Sequence, residues 1–392
     1  MTAIPSTVDI LRRLVAYQTV SRRPNLDLLD YVEGLLVPVG ARVERFAHPD
    51  GSRANLWATI GPDGPGGVVL SGHTDVVPVT GQDWSVDPFT LTERDGRCYG
   101  RGTADMKGFV AAALHAALHA ARRGLRTPLH LALSYDEEIG CLGVRGMIAA
   151  LAARPDRPAL CIVGEPTGMR IATGHKGKLA CRACCHGREG HSALAPNALN
   201  ALHLGAAFVA GLQARQEELA RAGARDPAYD IPYSTIHAGL MRGGTALNIV
   251  PNRCEIDFEI RNIVADDPAA ILAGIAADAE AIAAPHRARF PDARIEIAKV
   301  SAYPGLETPE TAPVVRLLRR LTRGPEPTIK VAFGTEGGLF QQDLGMSTAI
   351  CGPGFMDQGH KPDEFVSLDQ LARCDRMLAA LLDEMAAPEM VK

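Results

Sequence analysis

The 392-residue chain predicts an α/β fold: a mixed sheet flanked by helices, interrupted by an inserted ferredoxin-like α+β domain. Three observations predict it. Short apolar runs bounded by turns alternate with helical-period segments over the first 177 residues. Between 178 and 302 the elements run β-α-β-β-α-β, the order of a ferredoxin-like unit. The first texture then resumes near Thr311, so the expected domains are 1–177, 178–302 and 303–392, the outer two forming one unit.

Each element has a local reason. Ser6-Thr-Val-Asp9 resembles a capping box, and Ile10, Leu11, Leu14 and Val15 follow at helical spacing. A second helix is expected over 26–37, then strands over 41–47, 55–60 and 68–72, with the Gly- and Pro-rich 61–67 as a turn. A helix over 106–121, a strand over 129–134, a helix over 144–152 and a strand over 160–163 continue the alternation. In the inserted domain, strands are expected over 178–187, 233–242, 253–261 and 294–301, with helices over 198–222 and 268–284. Helices over 314–322 and 368–385 close the chain.

Composition narrows the function. Forty-one basic and 45 acidic side chains leave a net charge of −4, which argues against nucleic-acid and polybasic membrane binding. Aromatic residues are only 5%, too few for base-stacking platforms. Asp9, Arg12 and Arg13 interrupt the first apolar stretch, so no secretory signal is expected there. No run is expected to approach the roughly 18 apolar residues of a membrane span. Nine irregularly spaced Cys predict reduced thiols and a cytoplasmic protein.

Five segments fall at strand ends or in the adjoining loops: Ser71–Asp75, Gly100–Gly108, Asp136–Glu138, Gly164–Thr167 and Gly359–Asp363. Ligands of open α/β sheets gather where strands give way to loops. Two His and three carboxylates from such loops suit two divalent cations, zinc first, with cobalt or manganese as substitutes. Each string alone has a plainer meaning. A lone His is ordinarily a satisfied loop residue, and paired Glu residues suit a solvated helix start. Their joint order carries the signal.

The chain resembles the dinuclear zinc amidohydrolases of the aminoacylase, carboxypeptidase and succinyl-diaminopimelate desuccinylase superfamily. The supporting strings are SGHTDVVPV (71–79), WSVDPFTLTERDGRCYGRGTADMKG (84–108), SYDEEIGCLG (134–143), VGEPT (163–167) and GHKGKLA (174–180). GGTALNIVPNRCEIDFEIR (243–261), FGTEGGLF (333–340) and GHKPDEF (359–365) favour its acetylornithine deacetylase branch. The resemblance implies that Asp105 bridges two metal ions, with His73 and Glu165 completing one site and Glu138 and His360 the other. It implies Glu137 as general base, and Asp75 as the carboxylate that orients the His73 imidazole. It further implies that His191 reaches an active site in a homodimer formed by the inserted dimerisation and lid domain, and helps hold the oxyanion. Arg261 would clamp the substrate α-carboxylate, Asn248 would add a polar contact, and Gly334, Thr335 and Glu336 would line the pocket near the substrate amine. The implied reaction is hydrolysis of N-acetyl-L-ornithine to ornithine and acetate, in arginine biosynthesis. Another N-acyl amino acid, succinyl-diaminopimelate or a dipeptide is the alternative substrate.

Two metal-like patterns are set aside. His115 and His119 lie four apart without the Glu of HExxH, and read as a polar helical face. Cys181, Cys184, Cys185 and His186 sit in an alternating strand and lack a second pair at zinc-ribbon spacing.

Overall fold

The computed structural model describes residues 3–324 and 326–387. The chain divides into two compact units. The first comprises Met1–Gly174, Leu306–Lys330 and Thr335–Lys392; the second comprises His175–Gly305 and Val331–Gly334. The short segment Val331–Gly334 thus departs from the expected division, which put everything after 302 in the first unit. Gly334 explains it: a Cβ there would lie 2.1 Å from the Tyr303 hydroxyl, so the bare backbone packs on that ring.

The first unit is built on a nine-stranded mixed sheet. Strands Leu129–Ser134, Val68–His73, Leu160–Pro166 and Ser347–Gly352 lie side by side in parallel. Strands Arg42–Ala47 and Ala54–Ile60 extend one edge in antiparallel pairing. The parallel strands are almost wholly buried, as expected where helices cover both faces. The main core joins Ile10, Leu11 and Leu14 of helix Thr7–Ala16, helix Gly108–Ala120, and Leu371, Met377, Leu378 and Leu381 of helix Leu368–Ala386. Helices Val144–Ala152 and Gly337–Leu344 pack against each other; the latter, and the strand Ser347–Gly352, were not anticipated from sequence.

The helix start at Thr7 follows the capping logic: the Ser6 hydroxyl accepts from the Asp9 amide, and the Ser6 amide donates to the Asp9 carboxylate. Its C-terminal end is closed by Lys107. The fully buried ammonium donates to the carbonyls of Leu14 (3.0 Å) and Tyr17 (2.8 Å). Burial pushes the Lys107 pKa down to about 7.

The second unit is a four-stranded antiparallel sheet ordered Thr235–Gly243, Arg253–Asn262, Gly177–His186, Arg294–Tyr303, with helices Ala201–Ala222 and Pro268–Ala283. This is the expected ferredoxin-like arrangement. Phe208, Phe258, Ile256, Ile260 and Ile275 fill its core, and Cys181, Cys185 and Cys254 are core thiols within it. All nine cysteines are free and buried. One expectation is corrected here. Pro268–His286 is long and apolar enough, by length and composition, to cross a membrane. Its Ala content makes the average apolar. Yet it carries Asp278, paired to Arg215 at 2.7 Å, and it places Ile271, Ile275, Ala279 and Ala283 in the unit's interior.

Gly164 marks how closely the first unit is packed. A Cβ at that position would fall 1.9 Å from the Phe109 ring. Gly164→Ala is therefore expected to lower the unfolding free energy by about 3 kcal/mol, at the upper end of ordinary overpacking costs, as read by urea denaturation.

Candidate active site

Four parallel strands end on one side of the sheet, and the chemistry-bearing loops follow them. His73 is the last residue of Val68–His73, Glu137 and Glu138 follow Leu129–Ser134, and Glu165 closes Leu160–Pro166. His360 lies in the loop after Ser347–Gly352. Asp105 sits in the irregular turn Thr103–Lys107, before helix Gly108–Ala120. The helix expected from 106 therefore starts later, because backbone at 105 and 106 leaves helical geometry. At Gly102 (φ +84) a Cβ would come within 2.7 Å of Val76, so glycine is required there.

These loops bring the six residues together. His73 Nε2 lies 3.1 Å from Asp105 Oδ1 and 3.8 Å from Glu165 Oε1. His360 Nε2 lies 3.1 Å from Asp105 Oδ2 and 3.0 Å from Glu138 Oε2. Asp105 thus offers one oxygen to each imidazole. Ligand atoms of His73, Glu137 and Glu165 fall within 4.8 Å of one another, as do those of His73, Asp105 and Glu138. All but Glu138 and His360 are buried residues; the Glu138 side chain is only 7% exposed, and its Oε1 atom has no hydrogen-bond partner among the described residues.

Asp75 faces the His73 imidazole and also braces the glutamate pair. The Nδ1–H of His73 donates to the Asp75 backbone carbonyl at 2.9 Å, while the Asp75 carboxylate stands at 3.6 Å. That bond fixes the tautomer and leaves Nε2 facing Asp105 and Glu165. The Asp75 carboxylate also accepts the amides of Glu137 (3.0 Å) and Glu138 (3.4 Å) and the Ser21 hydroxyl (2.7 Å). It holds the loop of the paired glutamates.

Electrostatics follow from burial. Desolvation raises Glu137 and Glu165 well above the usual carboxylate range, and raises Glu138 to about 7. Hydrogen bonds to Asp105 and Glu138 raise His360 to about 10. Burial opposes ionisation of Asp105 too, but bonds from His360 and His73 hold its carboxyl well down. So much buried acid against two imidazoles is a site short of positive charge. Two imidazoles and several carboxylate oxygens form a donor set that fits divalent cations of zinc type.

Sequence reasoning passed over several supporting residues. Asp136 (φ +53) accepts the Arg22 amide at 2.6 Å and pairs with the buried Arg53 guanidinium. Cys141 donates its thiol to Glu137 Oε1 at 3.2 Å. The only signal for Asp136 was its adjacency to the glutamate pair.

The other expected site residues divide between the two units. His191, Asn248, Arg261 and Gly334 belong to the second unit. His191 is exposed and accepts the Ala193 amide through Nδ1; its strand pairs with Ile249–Val250, and the Ser192 amide donates to the Asn248 carbonyl. Arg261 donates to Glu259 (2.9 Å) and the Tyr303 hydroxyl (2.7 Å). Thr335 and Glu336 lie in the first unit and are buried. Glu336 accepts the Ser71 hydroxyl at 3.2 Å, on the strand that carries His73.

Residues 69–384 match the profile of peptidase family M20/M25/M40. The chain belongs to that family. It is a metal-dependent hydrolase. Among its relatives, the acetylornithine deacetylase of Photorhabdus laumondii is 32% identical over 388 residues, covering 97% of each chain. That of Pasteurella multocida is 34% identical over 98% of this chain and 99% of its own. Among solved structures, the M20 metallo-carboxypeptidase Sso-CP2 from Sulfolobus solfataricus superposes with a TM-score of 0.76 at 20% identity, covering 96% of this chain and 98% of its own. Human carnosine dipeptidase 1 gives 0.74 at 19% identity, covering 97% of this chain and 96% of its own. Both likenesses show the shared fold.

Glu336 yields a pH prediction. Burial raises its pKa from 4.5 to about 7, so between these values the unfolded chain releases a proton that the folded chain keeps. This contribution favours the fold at low pH and is lost as pH rises from 4.5 to 7. Glu336→Gln should remove it: urea denaturation in chelator should show the variant gaining stability relative to wild type across that range.

Proposed function

We propose that the protein hydrolyses N-acetyl-L-ornithine to L-ornithine and acetate, serving arginine biosynthesis. The observation that carries the reading is Asp105, with one carboxylate oxygen turned to each of two imidazoles, amid Glu137, Glu138 and Glu165. The branch-specific strings and the named relatives support the substrate.

In this reading His73, Asp105 and Glu165 hold one cation, and Asp105, Glu138 and His360 the other. Zinc is the expected metal and cobalt a substitute. Bound there, divalent cations would polarise the amide carbonyl and lower the pKa of a water toward about 7. Glu137 takes a proton from the attacking water as the new C–O bond forms, then returns it to nitrogen as the C–N bond breaks. Asp75 keeps the Glu137 backbone in place. His191 steadies the developing oxyanion, Arg261 takes the α-carboxylate in a bidentate grip, and Asn248 adds a polar contact.

A homodimer through the second unit, which also serves as lid, belongs to the same reading. Strand Thr235–Gly243 is a free sheet edge and exposes Leu240 and Met241; Leu247, Ile249 and Leu194 are exposed in the same unit. Exposed apolar residues on an unpaired edge favour pairing with another chain. A cytoplasmic location accords with nine unpaired thiols.

The deciding measurement compares kcat/KM for N-acetyl-L-ornithine, N-acetyl-L-methionine and N-succinyl-diaminopimelate. The ornithine derivative should lead by at least roughly tenfold, about 1.4 kcal/mol of transition-state discrimination; a higher value for either rival rejects the assignment. Glu137→Ala should retain two metal equivalents per chain while kcat falls roughly 100- to 10,000-fold. Metal analysis beside steady-state rates checks both halves of that expectation.

A further inference from the structure

His360 presents a positioning problem. Its side chain is 48% exposed, and its backbone adopts φ +61, so neither packing nor an ordinary helix or strand conformation holds it. Yet its Nε2 must meet Asp105 and Glu138 together. Three residues with no role in the reaction surround this loop: Gln82, Arg101 and Glu364.

Arg101 and Glu364 form an ion pair at 2.6 Å with each side chain only 1% exposed. Removing both charges from water costs more than their attraction ordinarily returns, so the pair is poorly explained as a stabilising device. Its connections explain it better. Glu364 Oε1 accepts the amides of Ala104 (2.9 Å) and Asp105 (3.1 Å), and the Glu364 carbonyl accepts the Gly100 amide (2.9 Å). Arg101 also donates to the Gln82 side-chain oxygen, reaches the Lys361 carbonyl at 3.4 Å and lies 5.0 Å from the Trp84 ring.

Gln82 closes the loop. Its Oε1 accepts from Arg101 and from the Trp84 indole N–H at 3.0 Å. Both neighbours are pure donors, so the amide has one orientation, with the NH2 turned away from them. That NH2 donates to the His360 carbonyl at 2.9 Å. A second grip lies beside it, where the Ser85 amide donates to Asp363 Oδ1 at 2.9 Å.

We propose that Gln82, Arg101 and Glu364 are positioning residues: a clasp that sets the His360 loop and the Asp105 turn in register, so that both reach the same cation. The inference rests on the two-cation reading above. It assigns Gln82, a half-buried loop residue remote from any catalytic step, a measurable hold on metal affinity.

The test titrates zinc alone into metal-free full-length protein by calorimetry, for wild type, Gln82→Ala and Gln82→Glu. Gln82→Glu keeps the acceptor for Arg101 and Trp84 but loses the donor to His360. Wild type should take up two equivalents. Both variants should keep one dissociation constant within about threefold and weaken the other roughly 10- to 100-fold, the usual effect of losing an outer partner of a ligand. The melting temperature of the metal-free protein should not move. Wild-type constants in either variant overturn the clasp. So does weakening of both constants with a lowered melting temperature, which is general loosening. Fewer than two equivalents in wild type overturns the two-cation reading and the clasp with it.

Discussion

Buried negative charge is the constraint around which the first unit is organised. Asp75, Asp105, Glu137, Glu138, Glu165 and Glu336 all sit inside the fold near the ends of its parallel strands. Carboxylates in such surroundings resist ionisation, and two imidazoles cannot neutralise them all. The fold is therefore shaped for a guest of high positive charge. The modest net charge of −4 hides this, because the acids are gathered at one place rather than spread over the surface.

Holding those acids apart and aimed falls largely to backbone bonds. The Asp75 carbonyl sets the His73 ring, the Asp75 carboxylate receives the amides of the paired glutamates, and Glu364 receives the amides of Ala104 and Asp105. In each case a side chain fixes a segment of main chain, and the segment aims the functional group. Amide donors cost no side-chain entropy and carry no charge to compete with a cation, which suits them to this task.

The sequence shows much of this and conceals the rest for identifiable reasons. Helix Val144–Ala152 and the four long strands and two helices of the second unit are readable because their apolar period is sustained. Helix Gly337–Leu344 was missed because it has eight residues and opens on two glycines, which argue against a helix. The residues of the acidic cluster were legible as strings at strand ends. The clasp was not: Arg101 and Glu364 stand 263 residues apart, and nothing local distinguishes either from a surface charge. Asp75 was legible as a neighbour of His73, but its amide contacts to the glutamate pair were not, since a motif identifies the residue and not every group its oxygens reach.

The route by which the chain leaves and re-enters the first unit has an architectural consequence. Strands Ala172–His175 and Leu306–Glu307 flank the excursion, and they are neighbours in the nine-stranded sheet, with the Thr308 amide donating to the Thr173 carbonyl at 2.8 Å. The long excursion His175–Gly305 therefore leaves and returns through two stems already pinned side by side. Loop-closure entropy grows only slowly with length, so the span between such stems is nearly free to lengthen, shorten or be exchanged. The sheet has, in effect, a socket in its wiring.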